Sequence, residues 1–159
     1  MIDTRNFMNR TGVRTFEAAA FLRRCGADIT RVRKMFRDDM DSYRAKAEAV
    51  RSAEVYKDEY AISHSPGDID SPTVLAAQTA NELLDINGIK ASFVLTEHEG
   101  RVFLSCRSID EVNVQIIAEK LGGGGHINAA GAQFDGITID EATDILKETI
   151  DIMIKEGDI

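Results

Sequence analysis

The sequence predicts an α/β fold: a mixed β-sheet flanked by helices, preceded by a helical segment. Up to about residue 54 the apolar residues recur at spacings of three and four, which is typical of helices. From about Val55 short strand patterns alternate with helical stripes, which predicts a sheet with helices packed on it. The 159 residues, 43% hydrophobic and 29% charged, suffice for one ordinary globular core with a helical extension.

Three helices are predicted in the first part of the chain. One runs from about Val13 to Arg24 and stops near Gly26, since glycine commonly follows the end of a helix. The next begins after Asp28, whose carboxylate can cap the first turn. A longer helix starts in the acid-rich turn at residues 38–41 and carries a narrow apolar stripe. Such a stripe suits packing between two bodies, so we interpret this segment as a connecting helix.

The second part begins with a strand predicted over Tyr56 to Ser63, and a helix follows that starts at Ser71-Pro72. Two further strands, Ala91 to Thr96 and Arg101 to Arg107, are joined by a four-residue turn. In the second of these, alternation places three apolar side chains on one face and three other side chains on the opposite face: Val102, Leu104 and Cys106 against Phe103, Ser105 and Arg107.

The last third predicts a helix, a glycine run, a short strand and a final helix. A helical stripe from Val114 to Leu121 ends abruptly in four glycines. A short strand is predicted at Gln133-Phe134. Thr138 and Glu141 then have the spacing of a capping box, which predicts the start of the final helix.

Charge and composition exclude several classes of protein. The net charge of −8 argues against a surface that tracks long nucleic acids, because such surfaces neutralise many phosphates with basic residues. A small anionic ligand in one local site remains compatible with it. The two cysteines share no motif and no secretory signal is present, which predicts a reduced, cytoplasmic protein. The three histidines show no zinc-type spacing.

The run from Gly122 to Gly125 is the most informative feature. A single glycine suffices to end a helix, and Gly122 alone is explained in that way. Consecutive glycines expose bare backbone N–H groups that can surround an anion. A helix beginning near His126 would add further donors, and the imidazole can supply another. A flexible loop is the alternative. The Lys-Ser/Thr pair of a Walker A loop is absent.

The segment GGGGHINAAG, from Gly122 to Gly131, resembles the GGGGHxxAAG signature of the domain that accompanies DHH phosphoesterases. Upstream, the segment SCRS at residues 105–108 and VNV at 112–114 resemble the family's S-x-R-S strand end and the helix after it. The resemblance implies a set of nucleotide ligands: Arg107, Gly123, Gly124, Gly125 and His126. Ser105 shares a strand face with Arg107 and is expected to orient it. From the residues alone, Arg107 suits either a phosphate or the sheet surface.

The start of the chain, DTRNF at residues 3–7 with RT at 10–11 and RTF at 14–16, resembles the last motif of the DHH domain. In that motif an aspartate binds metal, which implies that Asp3 is a ligand of a two-metal Mn²⁺ centre. The family's earlier motifs are absent, so we expect a fragment. Residues 1–37 would be the end of the DHH domain, 38–54 a connecting helix, and 55–159 the DHH-associated substrate-binding domain.

Within this family, the segments at residues 10–16, 111–115 and 119–121 resemble GdpP-type cyclic-di-AMP phosphodiesterases, which are membrane-anchored with a cytoplasmic catalytic part. The resemblance implies a parent enzyme that hydrolyses cyclic-di-AMP to the linear dinucleotide, and a fragment that is inactive alone. The expected partners are a cyclic dinucleotide or short oligonucleotide and the missing DHH half, with no membrane contact. A homodimer is compatible with the sequence. A nanoRNase or nucleoside-bisphosphate phosphatase and a non-catalytic nucleotide- or RNA-binding module remain alternatives.

Overall fold

The computed structural model describes Thr4, Phe7 and residues 11–159, which divide into two compact units, Met1–Asp38 and Asp39–Ile159. The first unit contains two helices, α1 (Val13–Arg24) and α2 (Ile29–Met35), as the sequence predicted. The carboxylate of Asp28 accepts hydrogen bonds from the first N–H groups of α2 and so caps it. None of the residues in these two helices is buried.

The second unit contains a six-stranded sheet and four helices, in the order α3 (Met40–Arg51), β1 (Glu54–Tyr56), β2 (Tyr60–Ser65), α4 (Pro72–Leu83), β3 (Ala91–His98), β4 (Arg101–Ser108), α5 (Val114–Lys120), β5 (Gly124–His126), β6 (Ala129–Asp135) and α6 (Ile139–Glu156). The strand order is β1-β2-β3-β4-β6-β5. Strands β2 and β3 are parallel, connected through α4, and all other neighbours are antiparallel. The predicted α/β fold with a mixed sheet is confirmed.

Helices cover both faces of the sheet. On one face α5 and α6 close the main core around Phe93, Leu95 and Leu104. On the other face α3 and α4 pack over β2 and β3, with Val94 in a smaller cluster. The hydroxyl of Ser92 donates to the carbonyl oxygen of Ala80 at 2.6 Å and so ties β3 to α4. Helix α4 also reaches β4, whereas β5 and β6 lie beyond it.

The strand predicted over Tyr56 to Ser63 is confirmed only from Tyr60, where β2 begins, because Tyr56 ends the separate strand β1. The chain makes a hairpin there, because Lys57 and Asp58 adopt positive φ angles of 52° and 63° and reverse its direction. Asparagine or glycine usually marks such a turn, and neither is present. The predicted capping box is confirmed, with the Thr138 hydroxyl accepting from the N–H of Glu141 at 3.2 Å.

No helix begins near His126. Gly124, Gly125 and His126 form strand β5, which turns through two residues and pairs with β6. The predicted strand at Gln133-Phe134 is therefore longer, and it begins at Ala129. No helix N-terminus adds its donors at this point, because the backbone groups are engaged in a hairpin. Across residues 11–159, no helix is long and apolar enough to cross a membrane.

Candidate functional site: the glycine hairpin and the open sheet face

The end of α5 explains the first glycine of the run. The N–H of Gly122 donates to the carbonyl oxygen of Glu119 at 3.0 Å, and the N–H of Gly123 to that of Ala118 at 2.8 Å. With a φ of 80° at Gly122, these two bonds form a Schellman motif. The structural explanation of Gly122 as a helix terminator is confirmed, and the remaining three glycines need another reason.

Two of these glycines are required by close backbone packing. A Cβ on Gly123 would lie 2.0 Å from the carbonyl oxygen of Gly131, and a Cβ on Gly125 would lie 2.5 Å from the Cα of Ala130. Gly125 also has a φ of 150°, which favours glycine. Gly124 differs from both, because a Cβ there would meet no atom within 4 Å. The packing of this chain does not require a glycine at position 124.

Strand β5 lies at an edge of the sheet, so part of its backbone faces away from β6. Hydrogen-bonded and non-hydrogen-bonded pairs alternate along an antiparallel ladder. The pairs here are Gly124 with Gly131, Gly125 with Ala130 and His126 with Ala129. Either the N–H of Gly125 or those of its two neighbours therefore point outward. The hairpin offers fewer outward donors than a fully unpaired glycine nest would.

The register of three strands brings the predicted site residues onto one face of the sheet. Ser105 pairs with Gly131, which pairs with Gly124. Arg107 pairs with Ala129, which pairs with His126. Directly opposed residues point to the same side. We call this surface the open sheet face; its members are all partly or fully exposed: Phe103, Ser105, Arg107, Gly124, His126, Ala129, Gly131 and Gln133.

The open sheet face has the form of a shallow trough. Its floor is β6, which contributes only the small residues Ala129 and Gly131 between the two walls. Arg107 on β4 and His126 on β5 stand on either side, two strand spacings or about 10 Å apart. An anion resting on this floor can be approached by both side chains. The donor types, a guanidinium, an imidazole and backbone N–H groups, are those that bind phosphate.

Arg107 is anchored at the boundary of β4 and β6. Its Nη1 donates to the carbonyl oxygen of Cys106 at 2.8 Å and to that of Ala130 at 3.5 Å. The opposite face beneath it is buried core. Burial raises the pKa of the Cys106 thiol to about 12, although the neighbouring arginine opposes this shift. This cysteine is therefore a packed apolar side chain, because the thiolate is the reactive form.

The tip of the glycine hairpin is fastened to the loop after β4. Asn128 Nδ2 donates to Asp110 Oδ1 at 2.7 Å, and the Asn128 carbonyl oxygen accepts from the N–H of Ser108 at 3.2 Å. The carbonyl oxygen of Ile127 accepts from the N–H of Val114 at 3.0 Å. These bonds hold His126 in position relative to Arg107. From the sequence alone Asn128 is either a weaker ligand candidate or a turn residue, and no local pattern predicts its long-range bond to Asp110.

The predicted metal ligand Asp3 lies outside the described residues. Within Thr4, Phe7 and residues 11–159, no three histidine, cysteine, aspartate or glutamate side chains are grouped so that they could hold a metal ion. The part of the chain that the structure describes therefore does not fit a two-metal centre. We derive no chemical step through metal ions from this structure.

A cavity of about 400 Å³ lies far from the glycine hairpin, between β2 and α6. Four of the polar side chains that line it bond in two pairs. The Thr143 hydroxyl donates to the carbonyl oxygen of Ile139 at 2.7 Å and therefore accepts from His64 Nε2 at 2.8 Å. Lys147 Nζ donates to Glu54 Oε2 at 2.7 Å. We place the candidate site on the open sheet face, where phosphate-type donors converge, and not in this cavity.

Comparison with known families gives a match to the DHHA1 domain over residues 60–153. The cyclic-di-AMP phosphodiesterase PdeA of Listeria monocytogenes is 42% identical over 152 residues, which cover 95% of this chain and 23% of that protein. The cyclic-di-AMP phosphodiesterase GdpP of Bacillus subtilis is 42% identical over 160 residues, covering 99% of this chain and 24% of that protein. The chain thus spans about a quarter of the length of these relatives.

A shorter match and a solved structure complete the comparison. The bifunctional oligoribonuclease and PAP phosphatase NrnA of Thermus thermophilus is 42% identical over 65 residues, covering 41% of this chain and 20% of that protein. An exopolyphosphatase-related protein from Bacteroides fragilis has a similar fold, with a TM-score of 0.86 at 23% identity over 96% of this chain and 47% of that one. At that identity the structural likeness concerns the fold alone.

Proposed function

We propose, from the premise that this chain belongs to the DHHA1 domain family, that it is the substrate-binding part of a phosphodiesterase that hydrolyses cyclic-di-AMP to the linear dinucleotide. The resemblance noted in the sequence is confirmed by the family match and by the relatives at 42% identity. The observation that carries the proposal is the gathering of Arg107, His126 and the bare backbone of Gly124 on one open face.

Each residue of the site has a proposed role in holding a phosphate. The guanidinium of Arg107 binds phosphate oxygens from the β4 side, and His126 donates from the β5 side. Gly124 lets the anion approach the backbone, because no Cβ stands in the way. Gly123 and Gly125 shape the hairpin, the outward N–H groups of β5 add backbone donors, and the hydroxyl of Ser105 donates a further hydrogen bond. Together these contacts position and partly neutralise one phosphodiester.

The metal part of the proposal concerns Asp3. We propose that Asp3 is one ligand of a two-manganese centre, since carboxylate oxygens suit Mn²⁺. One carboxylate cannot hold two ions, so the other ligands would belong to a longer protein. We therefore expect no hydrolysis by this chain alone. Turnover of cyclic-di-AMP by the purified chain with manganese would refute that expectation.

Calorimetric titration tests the binding role. The ligands are cyclic-di-AMP, the linear dinucleotide and AMP, and the variant is His126→Ala. His98→Ala is the matched control, because His98 lies at the opposite end of the strands, where it contacts the carbonyl oxygen of Gly67 at 3.2 Å and Glu99 Oε1 at 4.0 Å. We expect binding that is lost in His126→Ala and kept in His98→Ala. Equal binding by all three proteins would remove His126 from the site.

The reaction itself needs a longer protein that includes the remaining DHH motifs. With manganese, we expect such a protein to convert cyclic-di-AMP to the linear dinucleotide, and we expect Arg107→Ala to reduce the rate. If no linear product forms, the assigned reaction is wrong even where binding persists. The family membership does not depend on this result.

A second candidate function is hydrolysis of very short oligonucleotides or of a nucleoside bisphosphate. The 65-residue match to an oligoribonuclease and PAP phosphatase favours it. Relative rates on the linear and the cyclic dinucleotide separate the two candidates. The net charge of −8 argues against a non-catalytic RNA-binding module. Tighter binding of longer, structured RNA than of dinucleotides would support that alternative.

We also propose that the chain works in the cytoplasm. Cys25 is exposed and Cys106 is buried, and neither is in a disulfide. An exposed free thiol is compatible with a reducing compartment. Localisation of a tagged longer protein, with protease accessibility of this domain from each side of the membrane, would test the proposal.

A further inference from the structure

The open sheet face continues beyond the phosphate-binding residues. Phe103 lies on the same side of β4 as Ser105, two residues away. It pairs with Thr96 on β3 and with Gln133 on β6. Phe103 is partly exposed and belongs to neither of the two core clusters. Phe134, which follows Gln133 on β6 and pairs with Val102, points to the opposite face and packs against the main core. The burial of apolar surface in the core therefore does not account for Phe103.

We propose that Phe103 and Gln133 form a nucleobase platform, with the ring stacking on an adenine and the amide bonding its edge. This inference rests on the proposed function, because it takes the phosphate position from the glycine hairpin. Aromatic rings on an open sheet face bind bases through stacking, which accepts any base. The amide of a glutamine can pair with both a donor and an acceptor of adenine.

The geometry of the face sets the direction in which the base extends. Residues two positions apart on a strand are about 7 Å apart, so the row of Phe103 and Gln133 lies one such step from the row of Ser105, Gly131 and Gly124. That step is comparable with the reach from phosphate to base within a nucleotide. In the other direction the face ends at the hairpin tip, beside the carboxylate of Asp110. This negative charge repels a phosphate, so the ligand does not extend that way.

Gln133 is oriented for this role. Its Nε2 donates to Asp135 Oδ1 at 3.1 Å, and the same carboxylate oxygen lies 3.2 Å from Arg101 Nε. A carboxylate only accepts, so the nitrogen of the amide must face Asp135. The carbonyl oxygen of Gln133 and its second N–H then remain as an acceptor and a donor for a base edge.

Nuclear magnetic resonance titration of the ¹⁵N-labelled chain tests the platform with AMP and ribose 5-phosphate as probes. We expect both compounds to shift the backbone amides from Gly123 to His126. Only AMP should shift the side-chain amide of Gln133, and its adenine protons should move upfield under the ring current of Phe103. AMP should bind about tenfold more tightly than ribose 5-phosphate, because stacking of one base on an aromatic ring increases affinity by roughly that factor.

Variants separate the platform from general effects on the fold. Phe103→Leu should reduce AMP affinity to that of ribose 5-phosphate and leave the latter unchanged, and Phe103→Tyr should keep AMP affinity. Phe134→Leu is the matched control, because it should lower the melting temperature without changing the affinity ratio. Equal affinities of AMP and ribose 5-phosphate, with the glycine amides still shifting, would overturn the platform and leave the phosphate site intact. If neither compound shifts the glycine amides, the phosphate site of the proposed function fails, and the platform fails with it.

Discussion

Substituting Gly124 by alanine separates the needs of the fold from those of the ligand. The backbone of Gly124 has no positive φ, and a Cβ there meets no atom within 4 Å. Because alanine has less conformational freedom in the unfolded chain, Gly124→Ala should stabilise the protein by up to about 0.5–1 kcal/mol. For a chain of this size that corresponds to a rise in melting temperature of about 1–4 °C.

The same substitution should weaken binding of phosphate-containing ligands. The new methyl group would stand on the open sheet face beside Gly131, where the anion approaches the backbone. Loss of one charge-assisted hydrogen bond lowers affinity by at least about tenfold. Thermal unfolding followed by circular dichroism gives the stability, and calorimetric titration with AMP and the linear dinucleotide gives the affinity. A stable Gly124→Ala variant with unchanged affinity would refute the reasoning that glycine is needed there for a ligand.

Gly125→Ala provides the contrast on the same strand. Its Cβ would lie 2.5 Å from the Cα of Ala130, and its φ of 150° is strained for alanine. Backbone strain alone costs about 1–3 kcal/mol, so we expect the melting temperature to fall by about 3–10 °C. If both variants lost stability equally, the distinction between a packing glycine and a ligand glycine would not hold.

Three further predictions concern other parts of the chain. Arg107→Lys should lose most phosphate affinity despite keeping the charge, since the guanidinium fork is lost; calorimetry measures this. In the native protein Cys25 should be alkylated rapidly and Cys106 only on unfolding, because Cys25 is exposed and Cys106 is buried. Mass spectrometry with and without urea measures this. Comparable alkylation rates in the native protein would contradict the burial that raises the pKa of the Cys106 thiol. Hydrogen bonds from the backbone and hydroxyl of Thr138 lower the pKa of Glu141 below its usual 4.5. The capping box should therefore stabilise α6 fully above that pH, and this stabilisation should be lost as the pH falls through the lowered pKa of the folded state. The melting-temperature difference between wild type and Glu141→Gln should therefore vanish in strong acid, and a difference that persisted there would count against this assignment.

Local signals in the sequence predicted most helix boundaries. Asp28 and the pair Thr138 and Glu141 mark helix starts through bonds to residues within the next turn, and Pro72 marks one because its fixed φ suits the first helical position. The glycine after α5 marks its end in the same way. These interactions span only a few residues, so the physical cause is contained in the local sequence. The alternation in β4 likewise predicted which of its side chains are buried.

The sequence patterns did not predict two hairpins. The turn at Lys57-Asp58 has no glycine or asparagine, and β5 consists of two glycines and a histidine, which lack strand propensity. In both places the pairing partner supplies the stabilisation, because an edge strand of three residues gains its hydrogen bonds from its neighbour in the sheet. No local pattern records that partner.

The sequence by itself determined the family of this protein and the residue types of its candidate site, since the glycine run, His126 and Arg107 are contiguous or near-contiguous motifs. Only the tertiary structure decided that Arg107 and His126 lie on the same face of the sheet, on either side of a trough whose floor is Ala129 and Gly131. It also decided that Gly124 alone among the last three glycines has room for a side chain. The physical reason is that strand register and close backbone approach depend on pairings between segments that are distant in the chain. These pairings determine which side chains share a face of the sheet.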